Sequence, residues 1–307
     1  MAVFRTNAAA EEPVLQGDVR QRPTGLAGIW AAIWSFSKRK PLGAIGAVVI
    51  LAAVAVAVLA PWVAPHNPEG VGIAKKFSPP GTESAPLGTD HIGRDVLSRL
   101  IHGARISMYV GIMTVLVGIT IGTMVGISSA YMGGVFDMIV QRIVDALMGF
   151  PPIILALGLM AALGADINNV IIALVVILVP GATRVVRSEA LRIKELDYIL
   201  ASRAIGANPV RVMWNHILPN VAATYIVLMT ITLGFAIVVE ASLSFLGVGV
   251  PEGVATWGSM LEIGREHIHT QTWLVVFPGV IIAAVVFAVN FLGDGLRDVL
   301  DPRLRGR

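Results

Sequence analysis

Apolar residues run through this chain in six stretches that contain no Asp, Glu, Lys or Arg: residues 42–64, 106–136, 146–165, 167–183, 217–239 and 270–293. A helix needs roughly 20 apolar residues to cross a hydrocarbon core of about 30 Å. The pattern therefore predicts an all-α, polytopic membrane protein with six transmembrane helices. It divides the chain into an N-terminal tail (1–41), a first transmembrane helix (42–64), a polar loop (65–104), a five-helix core (105–292) and a C-terminal tail (293–307).

Within the core, residues 184–219 form the largest polar loop, and its pattern is helical. Ala190, Leu191, Ile193, Leu196, Ile199, Leu200 and Ala204 recur at three- and four-residue spacing, which predicts one surface helix over 188–205. Gly206 and Asn208-Pro209 end it, since glycine permits a left-handed turn and proline cannot continue the ladder. A second helical stretch over 210–217 then leads to Pro219. A helix–Gly–helix element of this kind is a shape that another protein can grip.

Charge sets an expected orientation. With the N-terminus inside, seventeen of the 23 Lys and Arg residues fall on inner segments: those at 5–40, Arg142, those at 184–211 and those at 297–307. The outer segments hold Lys75, Lys76, Arg94, Arg99, Arg105 and Arg265. This asymmetry puts both termini in the cytoplasm and the 65–104 loop outside. Lys38-Arg39-Lys40 before the first apolar run resembles a signal peptide, but Pro61 after the candidate site at Ala60 disfavours cleavage. An uncleaved anchor is expected. Residues 28–36, with Trp30 and Trp34, are expected to lie along the inner interface.

Composition narrows the chemistry. The 307 residues are 55% hydrophobic and 14% charged, against about 25% charged in soluble domains. Zero cysteines exclude disulfides, thiolate metal sites and a cysteine nucleophile. The net charge of +3 fits loops beside anionic lipid better than nucleic acid. None of the five lysines follows a glycine, so no phosphate-cradling loop of the Walker type exists and ATP hydrolysis by that machinery is excluded. His267 and His269, two apart, would point to different sides of a helix, as in a solvated loop rather than a metal site.

Charges in or beside spans are functional candidates because they are costly there. Arg142 and Asp145, three apart, are expected to pair on one helix face near Asp137. Glu240 and Ser242 lie near the end of the fifth apolar run. Two readings stand for Glu240: it lines a translocation path, or it hydrogen-bonds a neighbouring helix. Pro151-Pro152 should break or kink the third span. Gly111, Gly118, Gly122 and Gly126 should leave a smooth strip for close helix approach.

Four segments, in order, resemble the inner-membrane permease subunits of ATP-binding-cassette importers, in the dipeptide/oligopeptide/nickel branch and its C-type permease. In the inner loop, Ala201, Gly206, Leu218 and Pro219 match the spacing of the importer coupling motif E-A-A-x-x-x-G-x9-I-x-L-P. Leu200 stands where that motif has Glu, Ser202 where it has the second Ala, and His216 where it has Ile. Pro86-Leu87-Gly88-Thr89-Asp90 with Gly93-Arg94-Asp95, Arg99 and Gly103-Ala104-Arg105 resembles the segment after the family's first span. Glu240 to Gly247 resembles the end of its fifth span, and Gly293-Asp294-Gly295-Leu296-Arg297-Asp298 with Asp301-Pro302-Arg303 its tail.

The resemblance implies the type I importer permease fold in a prokaryotic cytoplasmic membrane. It also implies a subunit with no cofactor of its own, paired with a second permease as a heterodimer. ATP and Mg would sit on two cytoplasmic ATP-binding subunits, and an extracytoplasmic binding protein would deliver a peptide, nickel complex, glutathione or another small solute. Residues 201–208 would be the coupling helix, with Ala201, Ser202, Arg203, Ala204, Gly206, Ala207, Leu218 and Pro219 meeting the ATPase. The competing reading is an ion-gradient-driven secondary transporter using Glu240, Asp145 and Asp137. An intramembrane enzyme would need paired catalytic groups, which the spans lack.

Overall fold

The computed structural model describes residues 34–300. The chain divides into two compact units, Met1–Arg39 and Lys40–Arg307. Of the first, residues 34–39 are helical, and Lys38 sits 5.0 Å from the Trp34 ring centroid. The amphipathic segment expected at 28–36 lies for the most part outside the described residues, as does the tail motif at 301–303.

The second unit is helical, with isolated bridges at Thr82–Ala85 and Thr89–Asp95 and no strand among its described residues. Helix α1 spans Pro41–Val63 and opens on Pro41, whose missing N–H costs nothing at a first turn. Helix α2 spans Val96–Met132. Asp95 caps it, accepting from the backbone N–H of Leu97 at 3.3 Å and of Ser98 at 3.0 Å. With 37 residues, α2 is about 55 Å long. It therefore begins ten residues before the apolar run and takes the end of the expected 65–104 loop into its first turns.

The third span differs most from a straight rod. Helix α3, Gly134–Met148, and helix α4, Pro152–Leu163, meet at 92°. Pro151 and Pro152 supply no backbone donors to bridge the break, and Pro151 adopts an extended ψ of 131°. At about 22 and 18 Å, neither arm alone crosses a membrane. The described residues thus contain five long apolar helices, or six spans when the bent pair counts as one.

Helix α5, Ile167–Lys194, starts at the cap Asp166 and passes through Pro180 without breaking. The surface helix expected at 188–205 is instead divided. Its first half continues α5, and after Glu195 and Leu196 a separate helix, α6, covers Asp197–Ala204. Helix α7, Pro209–Val212, a π turn over Met213–Ile217 and α8, Leu218–Phe245, follow without interruption. Helix α9, Trp257–Glu266, opens with a capping box between Thr256 and Ser259, and α10 spans Trp273–Leu300.

Helix α2 is the centre of the bundle. Three glycines of the expected strip face α5. A Cβ on Gly122 would come within 2.5 Å of the Ala182 Cβ, and one on Gly126 within 2.7 Å of the Thr183 carbonyl oxygen. Gly111 instead faces Ile237 and Leu233 of α8. Such backbone proximity is the main cohesive term between apolar helices when lipid is as apolar as the side chains. Helix α1 is peripheral and docks on α10, where Gly46 meets the Ala288 carbonyl and Lys40 pairs with Asp298.

Candidate functional site

Helix α6 is eight residues long and projects from the basic end of the bundle. One residue anchors it: Ile199 is fully buried, in a cluster with Ile193, Val212, Ile217 and Val221. The rest of its surface is open. Ala201, Arg203, Ala204 and Gly206 are exposed, Ser202 and Ala207 half-buried. Leu218 and Pro219 lie beyond it on the first turn of α8, half-buried and exposed respectively.

The end of α6 is a Schellman cap. The Gly206 N–H donates to Arg203 O at 3.0 Å and the Ala207 N–H to Ser202 O at 3.1 Å. Gly206 has φ +81° and nothing within 4 Å of a would-be Cβ. Glycine is therefore needed for the left-handed backbone, not for close approach within this chain. The expected coupling helix at 201–208 is corrected accordingly: the helix begins at Asp197 and ends at Ala204, and 205–208 is its turn. Asn208 then caps the next helix, its side chain accepting from the Val210 N–H at 2.9 Å.

Motif matching missed the residue between Ala204 and Gly206. Ile205 is 86% exposed, and Leu200, Val210 and Trp214 are exposed as well. An aliphatic side chain held in water forgoes about 1.5–3 kcal/mol of burial. The Schellman cap fixes it there. The signal that could have found it is the position itself, an Ile immediately before a helix-ending glycine.

Charges hold the neighbouring elements. Arg187 of α5 binds Asp137 of α3 through two bonds, Nε to Oδ1 at 2.6 Å and Nη2 to Oδ2 at 2.5 Å. Arg184 reaches Asp145 at 2.5 Å. The expected Arg142–Asp145 pair does not form, because both acids turn toward α5 rather than along their own helix. Lys194 donates to Ala130 O at 3.1 Å, meeting a carbonyl of the last turn of α2.

At the opposite end, the segment resembling the family's post-span motif is a folded cap. Asp90 accepts from the backbone N–H groups of Ile92 and Arg94, both at 3.0 Å, and from Arg94 Nε at 2.6 Å. Burial pushes the Asp90 carboxyl up, but donation from Arg94 and Ile92 outweighs it and holds the group below its ordinary value. Arg99, 1% exposed, ties three segments: Nη1 donates to Pro68 O at 3.2 Å and to Gly253 O at 3.5 Å, and Nε lies 3.9 Å from Asp90.

Glu240 is fully buried inside the subunit. Its Oε1 accepts from Ser244 Oγ, one turn along the same helix, at 3.0 Å, and its Oε2 is buried without a hydrogen-bond partner. The side chain reaches no surface that the subunit presents. Ser242, half-buried, donates to the Val238 carbonyl at 2.7 Å. Among the described residues no cluster of His, Asp and Glu could hold a metal ion.

The molecule is thus a bundle of apolar spans with an exposed, capped helix at one end and a folded polar cap at the other. The chain belongs to the family of binding-protein-dependent transport system inner membrane components, which matches residues 118–306. The N-terminal transmembrane domain of oligopeptide transport permease C matches residues 28–80. As a member of that family, it is the membrane component of its transporter and not the ATPase.

A candidate peptide transport system permease protein of Brucella suis biovar 1 is 43% identical over 261 residues, covering 85% of this chain and 88% of that protein. The dipeptide transport system permease protein DppC of Haemophilus influenzae is 37% identical, covering 89% and 94%. The glutathione transport system permease protein GsiD of Pectobacterium atrosepticum is 36% identical, covering 90% and 92%. The fold is similar to that of an inward-facing MetNI methionine ABC transporter chain, with a TM-score of 0.55 and 21% identity over 66% of this chain and 96% of that one.

Proposed function

We propose that this chain forms one half of the translocation pathway of an ATP-driven importer for peptides or related small solutes such as glutathione. A second, related permease supplies the other half. Two ATP-binding subunits carry ATP and Mg and grip α6 through Ala201, Ser202, Arg203, Ala204, Gly206 and Ala207, with Leu218 and Pro219 on the adjoining span. The basic end faces the cytoplasm of a prokaryote, with both termini there, and the cap around Asp90 and Arg99 receives the binding protein. The substrate class rests on the names of the relatives. Ser242 stays a candidate for the pathway wall, while Glu240 is enclosed within the subunit.

The observation that carries this reading is the eight-residue α6, anchored by buried Ile199 and presenting Ile205 at 86% exposure beside the left-handed Gly206. ATP-driven closure of the partner subunits moves α6, and the bundle switches between inward- and outward-open states. The test is Gly206→Asp in the assembled transporter. The variant should insert and co-purify with the second permease but lose solute uptake. Uptake at the parental rate with unchanged ATPase stimulation would refute the assignment.

A further inference from the structure

Helix α6 is separated from both neighbouring helices by non-helical residues, Glu195-Leu196 before it and 205–208 after it. No continuous helical rod joins it to α5 or α8. A displacement of α6 must therefore pass through the short turn and through side-chain contacts. One contact is the apolar seat of Ile199 among Val212, Ile217 and Val221, which is non-directional. The other is polar and directional. The Asn220 side-chain amide donates to Tyr198 Oη at 3.1 Å and to the His216 carbonyl at 2.6 Å. The Tyr198 ring also meets His216 edge-on, 6.1 Å between centroids and 68° between planes.

These contacts land on an irregular turn at the foot of α8. Over Met213–Ile217 the helix widens to a π turn, and the Leu218 N–H reaches back to Met213 O. The next residue, Pro219, has no N–H, so the Asn215 carbonyl lacks its usual helical donor. π turns of this kind recur at functional positions because the local ladder can shift register. One amide group, that of Asn220, thus splints this turn through His216 O while holding Tyr198 of α6.

We propose that Tyr198 and Asn220 are positioning residues that carry the movement of α6 into the π turn at the foot of α8. The inference rests on the reading above, in which α6 docks on the ATP-binding subunits. Tyr198 acts on the span through Asn220, and Asn220 through the His216 carbonyl. Removing either end of the bond leaves α6 docked but lets the turn lag behind it.

The chain has no cysteine, so a cysteine introduced into it is this subunit's single thiol, and the assembly without it is the labelling blank for the partner chains. In the transporter assembled in liposomes with its second permease and ATP-binding subunits, Trp214→Cys is labelled with a maleimide, with and without Mg-ATP plus vanadate. Ile205→Cys is cross-linked to a cysteine in the ATP-binding subunit's groove. In the parental background the labelling rate should change with nucleotide. Tyr198→Phe and Asn220→Ala should each reduce that change about fivefold, the factor set by loss of one ordinary net hydrogen bond. The Ile205→Cys cross-link and basal ATP turnover should persist, and the double variant should be no worse than either single. A full nucleotide response in both single variants, with the cross-link intact, overturns the link and leaves the docking reading standing. Absence of the cross-link in the parental background overturns both. Tyr198→Phe keeps the ring, so a folding failure of Asn220→Ala alone does not shelter the proposal.

Discussion

Arg187 grips Asp137 through two parallel hydrogen bonds across 50 residues of sequence, and Ser129 of α2 donates to the same carboxylate. Three helices therefore meet at one acid. The pair is less than one-third exposed on either side, and its fork geometry is one that only arginine supplies. Arg187→Lys should keep the charge but lose one bond, costing about 1–2 kcal/mol. Asp137→Ala should cost more, since it leaves the guanidinium without its acid. Thermal unfolding in detergent checks both; an unchanged midpoint for Asp137→Ala would show that the clasp contributes nothing to the fold.

Gly122 measures how tightly α2 and α5 approach. A Cβ there would lie 2.5 Å from the Ala182 Cβ and 3.0 Å from the Val179 carbonyl oxygen, so backbone has to move. Gly122→Val should destabilise the subunit by about 1–3 kcal/mol, the usual range for overpacking. Ala182→Gly should partly rescue Gly122→Ala by removing the opposing methyl. Gly158, with nothing within 4 Å, is the control and should tolerate alanine. Equal unfolding midpoints for Gly122→Val and the parent would show that these helices do not meet as described.

Ile205 should matter to assembly and not to folding. Its side chain is 86% exposed and makes no part of the described core. Ile205→Asp should therefore leave insertion and thermal stability unchanged while reducing retention of the ATP-binding subunits at least about tenfold, as loss of one well-buried aliphatic anchor does. Ile205→Leu should be retained. Full co-purification by Ile205→Asp would move the docking surface elsewhere.

What the sequence made legible was whatever depends on a few adjacent residues. The apolar runs, the break at Pro151-Pro152 and the left-handed Gly206 are local consequences of side-chain polarity and backbone freedom. The strip Gly118, Gly122 and Gly126 was visible too, although the sequence does not name α5 as the helix it accepts. Misreadings came where partner choice is tertiary. Asp145 could pair with Arg142 on its own helix, yet it meets Arg184 at 39 residues' distance because α5 runs alongside. Helix periodicity through 188–205 concealed the break at Glu195-Leu196, since apolar spacing continues across it. Glu240 read as a path residue or a brace with equal force, and its full burial inside the subunit is a matter of tertiary packing that no local pattern carries. Ile205 carried no motif signal, because its exposure follows from the cap geometry and not from its identity.

The cap is expected to loosen in mild acid, through His91. Its Nδ1 is buried without a partner, and its ring lies 6.4 Å from that of His267, which in turn packs on Phe77 at 4.7 Å. Burial holds the imidazole below its ordinary value. Asp90 opposes this, while Arg94, His267 and Arg99 reinforce it. The folded cap thus favours neutral His91. In an unfolded cap the same ring takes up a proton near pH 6.5, so acid favours the open form. The stabilising contribution is complete above about pH 6.5 and is lost as pH falls through the lower folded value. Asp90 acts in the same direction but only below the carboxylate range near pH 3.9, well apart from this window. Hydrogen exchange reads the effect at three backbone bonds, Ile73 N–H to Gly93 O, Phe77 N–H to Asp90 O and Thr89 N–H to Ser78 O. Their protection, corrected for intrinsic exchange, should fall between about pH 7.5 and about pH 5.5. In His91→Gln, which retains His66 and His267, that fall should be much reduced. Equal loss of protection in the two proteins would assign the pH response to another group.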